Sequence, residues 1–168
     1  MTLSFSHETL GQRVVLEAGG VATHVVAEVA GLGCSRVFLV VDAFAGEVAD
    51  RLVAAGLPVA ARWDEVVQHV PVGLAERARA AVTEVDADCV VTIGGGSSTG
   101  LGKAIALSHR IPVVAVPTTY AGSEATAMWG LTAEAHKETG IDPVVLPRVV
   151  VYDPELLTGL PSGLAVSS

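Results

Sequence analysis

Four consecutive residues, Gly94-Gly95-Gly96-Ser97, stand where the apolar run Cys89-Val90-Val91-Thr92-Ile93 gives way to a stretch of helical character. Glycines at such a junction let the backbone come close to a diphosphate, whose charge is met by free N–H groups and the positive end of the helix dipole. Two better-known phosphate motifs do not describe the loop. A P-loop has a glycine five residues ahead of its Gly-Lys pair and a hydroxyl after it, but Ser97 and Ala104 hold those places around Gly102-Lys103. The GxGxxG dinucleotide fingerprint needs a glycine where Thr99 stands, and it follows a first strand rather than an interior one. Close helix–sheet packing would use the same glycines, so taken alone the loop leaves both readings open.

A second loop, Pro117-Thr118-Thr119-Tyr120-Ala121-Gly122-Ser123-Glu124, follows the next strand. Successive strands of a parallel sheet put their carboxyl ends on one edge, so this loop and the glycine loop are expected to converge on one crevice. The hydroxyls of Thr118, Thr119, Tyr120 and Ser123, with backbone amides, can hold a diphosphate and a nicotinamide ribose without net positive charge. Serines and threonines in turns also act as local caps. Asp42 closes an earlier strand, where a carboxylate accepts hydrogen bonds from an adenosine ribose diol and repels a 2′-phosphate, which favours NADH over NADPH. Capping a helix that begins near Ala43 is its alternative role. Lys103 and Lys137 are the two lysines; either can reach a phosphate or ribose, although a solvated surface position is commoner.

Histidines at 7, 24, 69, 109 and 136 lack HxxxH spacing, and Cys34 and Cys89 form no CxxC, so no metal site is expected and the thiols read as buried in a reducing compartment. No GxSxG elbow or other nucleophile arrangement is present, which leaves the catalytic residues unassigned.

The scaffold for these loops follows from composition and periodicity. The 168 residues are 51% hydrophobic, 17% charged and 4% aromatic, which suits Val-, Ala- and Leu-rich strands covered on both faces. A formal charge of −8 with 10 basic residues speaks against nucleic-acid or anionic-membrane surfaces. No apolar run approaches the ~20 residues of a membrane span, so a soluble cytoplasmic protein is expected. Strands are expected at 13–16, 36–41, 57–61, 89–93, 112–116 and 148–152. Helices carry Val21, Val25, Val26 and Val29; Val48, Leu52 and Val53; Leu74, Ala78 and Val82; and Leu101, Ala104, Ile105 and Ser108 on their inner faces. This alternation gives an α/β fold with a parallel sheet flanked by helices, its core continuous from about 12 to 118. Residues 120–147 read as a long loop with one hairpin, and the short first strand at 13–16 as a candidate for pairing across chains. Residues 1–160 form one domain, and 161–168 read as the start of a linker.

The residues also resemble a known family. Gly94-Gly95-Gly96-Ser97-Ser98-Thr99-Gly100-Leu101-Gly102-Lys103 is similar to the GGGSxxDxxK loop of the iron-containing alcohol dehydrogenase superfamily, with Gly100 in place of its Asp. That departure and the loop PTTYAGSE at 117–124 resemble the maleylacetate reductases within the superfamily. So do Trp129-Gly130-Leu131-Thr132 with Lys137, and Leu146-Pro147-Arg148 leading to Tyr152-Asp153-Pro154-Glu155-Leu156. The resemblance implies a Rossmann-like, dehydroquinate-synthase-like cofactor domain, followed by a helical C-terminal domain absent from this chain. It implies NADH or NADPH between the two and reduction of the double bond of 2-maleylacetate, a small dicarboxylate, to 3-oxoadipate. It places Gly94, Gly95, Gly96 and Ser97 on the diphosphate. Thr118, Thr119 and Ser123 fall near the phosphates and nicotinamide ribose, Lys137 near the ribose, and Asp42 near the adenosine. A homodimer is implied, with this chain inactive alone. The alternatives are the cofactor domain of a metal-dependent alcohol or glycerol dehydrogenase or of a dehydroquinate-synthase-like enzyme, and a non-catalytic nucleotide-binding module.

Overall fold

The computed structural model describes residues 4–9, 11–133 and 136–158. The expected linker at 161–168 therefore lies outside the described residues. Seven strands form one sheet: β1 (Ser4–Thr9), β2 (Gln12–Glu17), β3 (Val37–Val41), β4 (Val59–Trp63), β5 (Cys89–Gly94), β6 (Val113–Pro117) and β9 (Val149–Tyr152). Their order is β1-β2-β9-β6-β5-β3-β4, all parallel except β1, which runs antiparallel to β2. A separate hairpin pairs β7 (Met128–Ala133) with β8 (His136–Ile141).

Alternation along each central strand divides the core in two. Val37, Leu39 and Val41 of β3 and Cys89, Val91 and Ile93 of β5 face one side, where Val21, Val25 and Val29 of α1 (Val21–Gly31) and Ala49 and Leu52 of α2 (Gly46–Ala54) cover them. Phe38, Val40 and Val90 face the other, against Leu74, Ala78 and Val82 of α3 (Val72–Glu84) and Leu101, Ala104 and Ile105 of α4 (Gly96–His109). Each strand is buried on both faces, which is why it reads as an unbroken β-branched run. Gly102 sets the depth of α4 on the sheet: a Cβ there would collide with the Thr92 side chain of β5.

Three expectations change. Val53 is exposed and Ala49 takes its place inside α2, because Ala45, Ala49 and Leu52 lie on the helical face that meets the sheet. Ser108 is exposed near the end of α4. The strand containing residues 13–16 is paired on both sides within the chain, by β1 and β9, so its edges are not free for a second copy.

The loop after β2 is closed from within. Asp153, at the start of α5 (Pro154–Leu157), is fully buried and accepts hydrogen bonds from the N–H groups of Gly19 at 2.9 Å, Val21 at 3.3 Å and Glu155 at 3.1 Å. Asp153→Ala strands these donors and is expected to cost about 2–3 kcal/mol. Urea denaturation measures it, and a loss below about 0.5 kcal/mol would mean that water replaces the carboxylate.

Candidate functional site

α4 starts differently from α1. No side chain among the described residues caps its first turn, so the amides following Gly95 point outward at the edge where β5 and β6 end. Gly94 lies at φ +146°, and a Cβ on it would collide with Ser98 and Asp42. The loop is thus glycine for two local reasons, backbone conformation and close approach.

The hydroxyl loop lies directly against this turn. Gly94 pairs in register with Pro117, and the Thr118 N–H donates to Gly94 O at 2.9 Å. A Cβ at Gly95 would stand 3.2 Å from Thr119 Cγ2 and 3.3 Å from its Oγ1; one at Gly96 would stand 3.1 Å from the Ala121 Cβ and 4.0 Å from the Ser123 Cβ. The expected convergence of the two loops is therefore a direct packing contact.

The far end of the hydroxyl loop is anchored in the sheet. Glu124 is buried; the Tyr152 hydroxyl of β9 donates to its Oε1 at 2.8 Å, and Gln12 Nε2 of β2 donates to its backbone O at 2.8 Å and to Pro147 O at 2.9 Å. Burial and the neighbouring carboxylate push the Tyr152 hydroxyl well above its ordinary pKa, so it stays a donor. Lys103 is a correction. It is no solvated lysine but 1% exposed, and its Nζ donates to Thr126 O at 2.7 Å, Thr126 Oγ1 at 3.0 Å and Met128 O at 2.8 Å. Desolvation lowers its pKa from the ordinary 10.5 to about 8, against the opposing charge of Glu124. Lys103 thereby ties α4 to the segment that follows Ser123.

The space around the glycine loop has two sides. On one side a chamber of about 340 Å³ is lined by Gly96, Ser97, Ser123 and Lys137, together with Trp129 and Gln68-His69-Val70. The Lys137 stem runs over Gly130, where a Cβ would stand 3.1 Å from Lys137 Cε. On the other side is Asp42, whose Oδ2 accepts from Ser98 Oγ at 3.4 Å. Asp42 does not cap α2, which begins at Gly46 with Ala45 as its capping residue. Tyr120 lies apart from both, 57% exposed and outside the chamber lining.

Spacing pointed to the loops but not to Glu124 and Tyr152 as anchors, to the burial of Lys103, or to the segment 68–70. The pairing of Glu124 with Tyr152 spans 28 residues, beyond any local period. Among the described residues no three His, Cys, Asp or Glu side chains are grouped so as to hold a metal ion.

The arrangement brings together an uncapped helix start, a facing row of hydroxyls, a carboxylate on one side and a chamber on the other. Comparison with known proteins gives it a lineage. Maleylacetate reductase from Burkholderia cepacia is 43% identical over 98% of this chain and 47% of its own length. An iron-containing alcohol dehydrogenase from Corynebacterium glutamicum superposes with a TM-score of 0.89 at 43% identity, covering 100% of this chain and 47% of that one. Maleylacetate reductase from Agrobacterium tumefaciens gives 0.87 at 38%, covering 99% and 47%. The chain thus spans about half the length of the relatives it matches. The iron-containing alcohol dehydrogenase family model matches residues 12–154, and the chain belongs to that family.

Proposed function

We propose that this chain is the NADH-binding domain of a maleylacetate reductase, which reduces the carbon–carbon double bond of 2-maleylacetate to 3-oxoadipate during breakdown of aromatic compounds. The observation that carries it is the uncapped first turn of α4 packed against the Thr119–Ser123 side of the hydroxyl loop. That surface meets the charge of a diphosphate with backbone donors, as an acidic chain with two lysines must. The relatives named above supply the reaction class.

In this reading the amides at Gly94, Gly95, Gly96 and Ser97 hold the diphosphate, and Thr118, Thr119 and Ser123 face it. Lys137 approaches the nicotinamide ribose, and Tyr120 stands at the rim. Asp42 takes the adenosine ribose diol. Phe44, two residues on and 96% exposed, offers its ring to the adenine. When bound, the dinucleotide supplies the hydride. The chain orients it so that the nicotinamide enters the chamber, and the fixed Lys103 and Glu124 contacts keep the hydroxyl loop from yielding. A helical domain after residue 160 would complete the cleft and bring the groups that hold the substrate carboxylates. The complete enzyme is a cytoplasmic homodimer in this reading. As β2 is closed on both sides, such a dimer would not form through it.

Two measurements test it. The complete protein is expected to oxidise NADH in the presence of maleylacetate, while the 168-residue chain binds NADH and turns over nothing. Failure of the complete protein, or turnover by this chain alone, would contradict the proposal. Asp42→Ala is expected to weaken NADH by about tenfold while NADPH binding holds or improves, because one variant loses a diol acceptor and a repelling charge together. A parallel loss for both cofactors would remove Asp42 from the ribose.

A further inference from the structure

One wall of the chamber is Gln68-His69-Val70, the segment between β4 and α3. His69 and Val70 both hold left-handed backbone conformations, with φ of 65° and 46°. Neither is glycine and Val70 is β-branched, so both torsions are unfavourable for their residue types. Such strain persists where surrounding contacts impose it. Thr132 of β7 holds both carbonyls: its Oγ1 donates to His69 O at 2.8 Å and its N–H to Val70 O at 3.1 Å. Pro71 also forms a bridge with Thr132. Val70 is buried over α4, where a Cβ at Gly100 would stand 3.0 Å from its Cγ2. The absence of a side chain at 100 therefore lets the segment sit down on α4.

The fold uses the backbone of His69 and leaves its side chain exposed at the chamber wall. Among the described residues no acidic side chain lines that chamber, and several lining groups are donors: the Gln68 amide, the Ser97 and Ser123 hydroxyls, the Lys137 ammonium and the His69 imidazole. Lys103 also reaches the lining, but its Nζ is already engaged by Thr126 and Met128. Such a lining suits a small anion.

We propose that His69 is the substrate-contacting residue this domain contributes, its imidazole N–H donating to a carboxylate of a short-chain dicarboxylate that lies in the chamber beside the nicotinamide. Its location rests on the cofactor reading above; the choice of an anion rests on the lining alone. Thr132, Val70 and Gly100 act through His69 as positioning residues. The strain is then the cost of aiming an imidazole from a loop that would otherwise relax.

His69→Gly removes the imidazole and leaves a residue at ease with a left-handed φ, so folding is protected. In the complete reductase this variant is expected to raise KM for maleylacetate about 10-fold to 100-fold. The Kd for NADH stays unchanged, and the melting temperature is unchanged or higher. An unchanged KM, or an equal loss of NADH affinity, overturns the proposal. A second arm avoids maleylacetate. With NADH saturating, maleate titrated into the complete protein is expected to shift the His69 ring resonances, and an unmoved ring overturns the assignment. If the complete protein fails to reduce maleylacetate while the ring still answers to maleate, the reductase reading falls and His69 remains an anion contact.

Discussion

Gly95→Val is expected to weaken NADH binding by roughly a hundredfold or more while leaving the domain folded. The backbone at Gly95 is extended, with φ −83° and ψ −164°, so valine meets no torsional strain there. The obstacle is Thr119: a Cβ already stands 3.2 Å from its Cγ2, and the γ-methyls of valine would extend into the threonine and into the space above the first turn of α4. Losing two charge-assisted hydrogen bonds to the diphosphate raises Kd by roughly a hundredfold or more. Gly95→Ala needs only a small shift of Thr119 and should weaken binding less than about tenfold. NADH fluorescence titration of the three proteins gives the ranking, with circular dichroism melts as the folding control. Equal affinities would remove the glycine loop from the site.

Lys103→Met is the second large effect, and it reports on a different link. Methionine keeps the length of the stem, but Thr126 O and Met128 O lose their donor. With two backbone acceptors stripped of a charged partner, a stability loss of about 2–4 kcal/mol is expected, and NADH affinity should fall with it as the segment after Ser123 loosens. The pH dependence separates this lysine from other causes. Its pKa is about 8 in the folded chain against an ordinary 10.5, so between these values the unfolded chain binds more protons and stability rises with pH. That contribution is fully present above 10.5 and lost as pH falls through 8. Across this window the gap in urea midpoint between wild type and Lys103→Met should widen as pH rises. A constant gap would show that Lys103 titrates normally.

The parts of this protein legible from sequence are those carried by local chemistry. The run Cys89-Val90-Val91-Thr92-Ile93 followed by three glycines announces a buried strand turning into a helix, and β5 and α4 lie there. Parallel-sheet geometry then carries the hydroxyl loop to the same edge, and the packing of Gly95 on Thr119 and of Gly96 on Ala121 is its physical form. What depends on distant partners was not legible. Lys103 looks like any helical lysine until Thr126 and Met128 fold over it. Glu124 belongs to the loop motif, yet its role as an anchor requires Tyr152 and Gln12 from strands at opposite ends of the chain. Left-handed torsions at His69 and Val70 carry no sequence signal, because glycine or asparagine would mark them and neither is present. The inner face of α2 was misread because Val53 outranks Ala49 in hydrophobicity, whereas helix phase puts Ala49 on the sheet.

The central claim is that the two converging loops hold the dinucleotide, and amide chemical-shift mapping of the 168-residue chain with NADH tests it most directly. The largest shifts are expected at Gly95, Gly96, Ser97, Thr118, Thr119 and Ser123, with Asp42 moving on the adenosine side and Lys137 on the nicotinamide side. Shifts gathered instead around Arg110 and Arg148, which line a separate cleft, or no shifts at all, would contradict it.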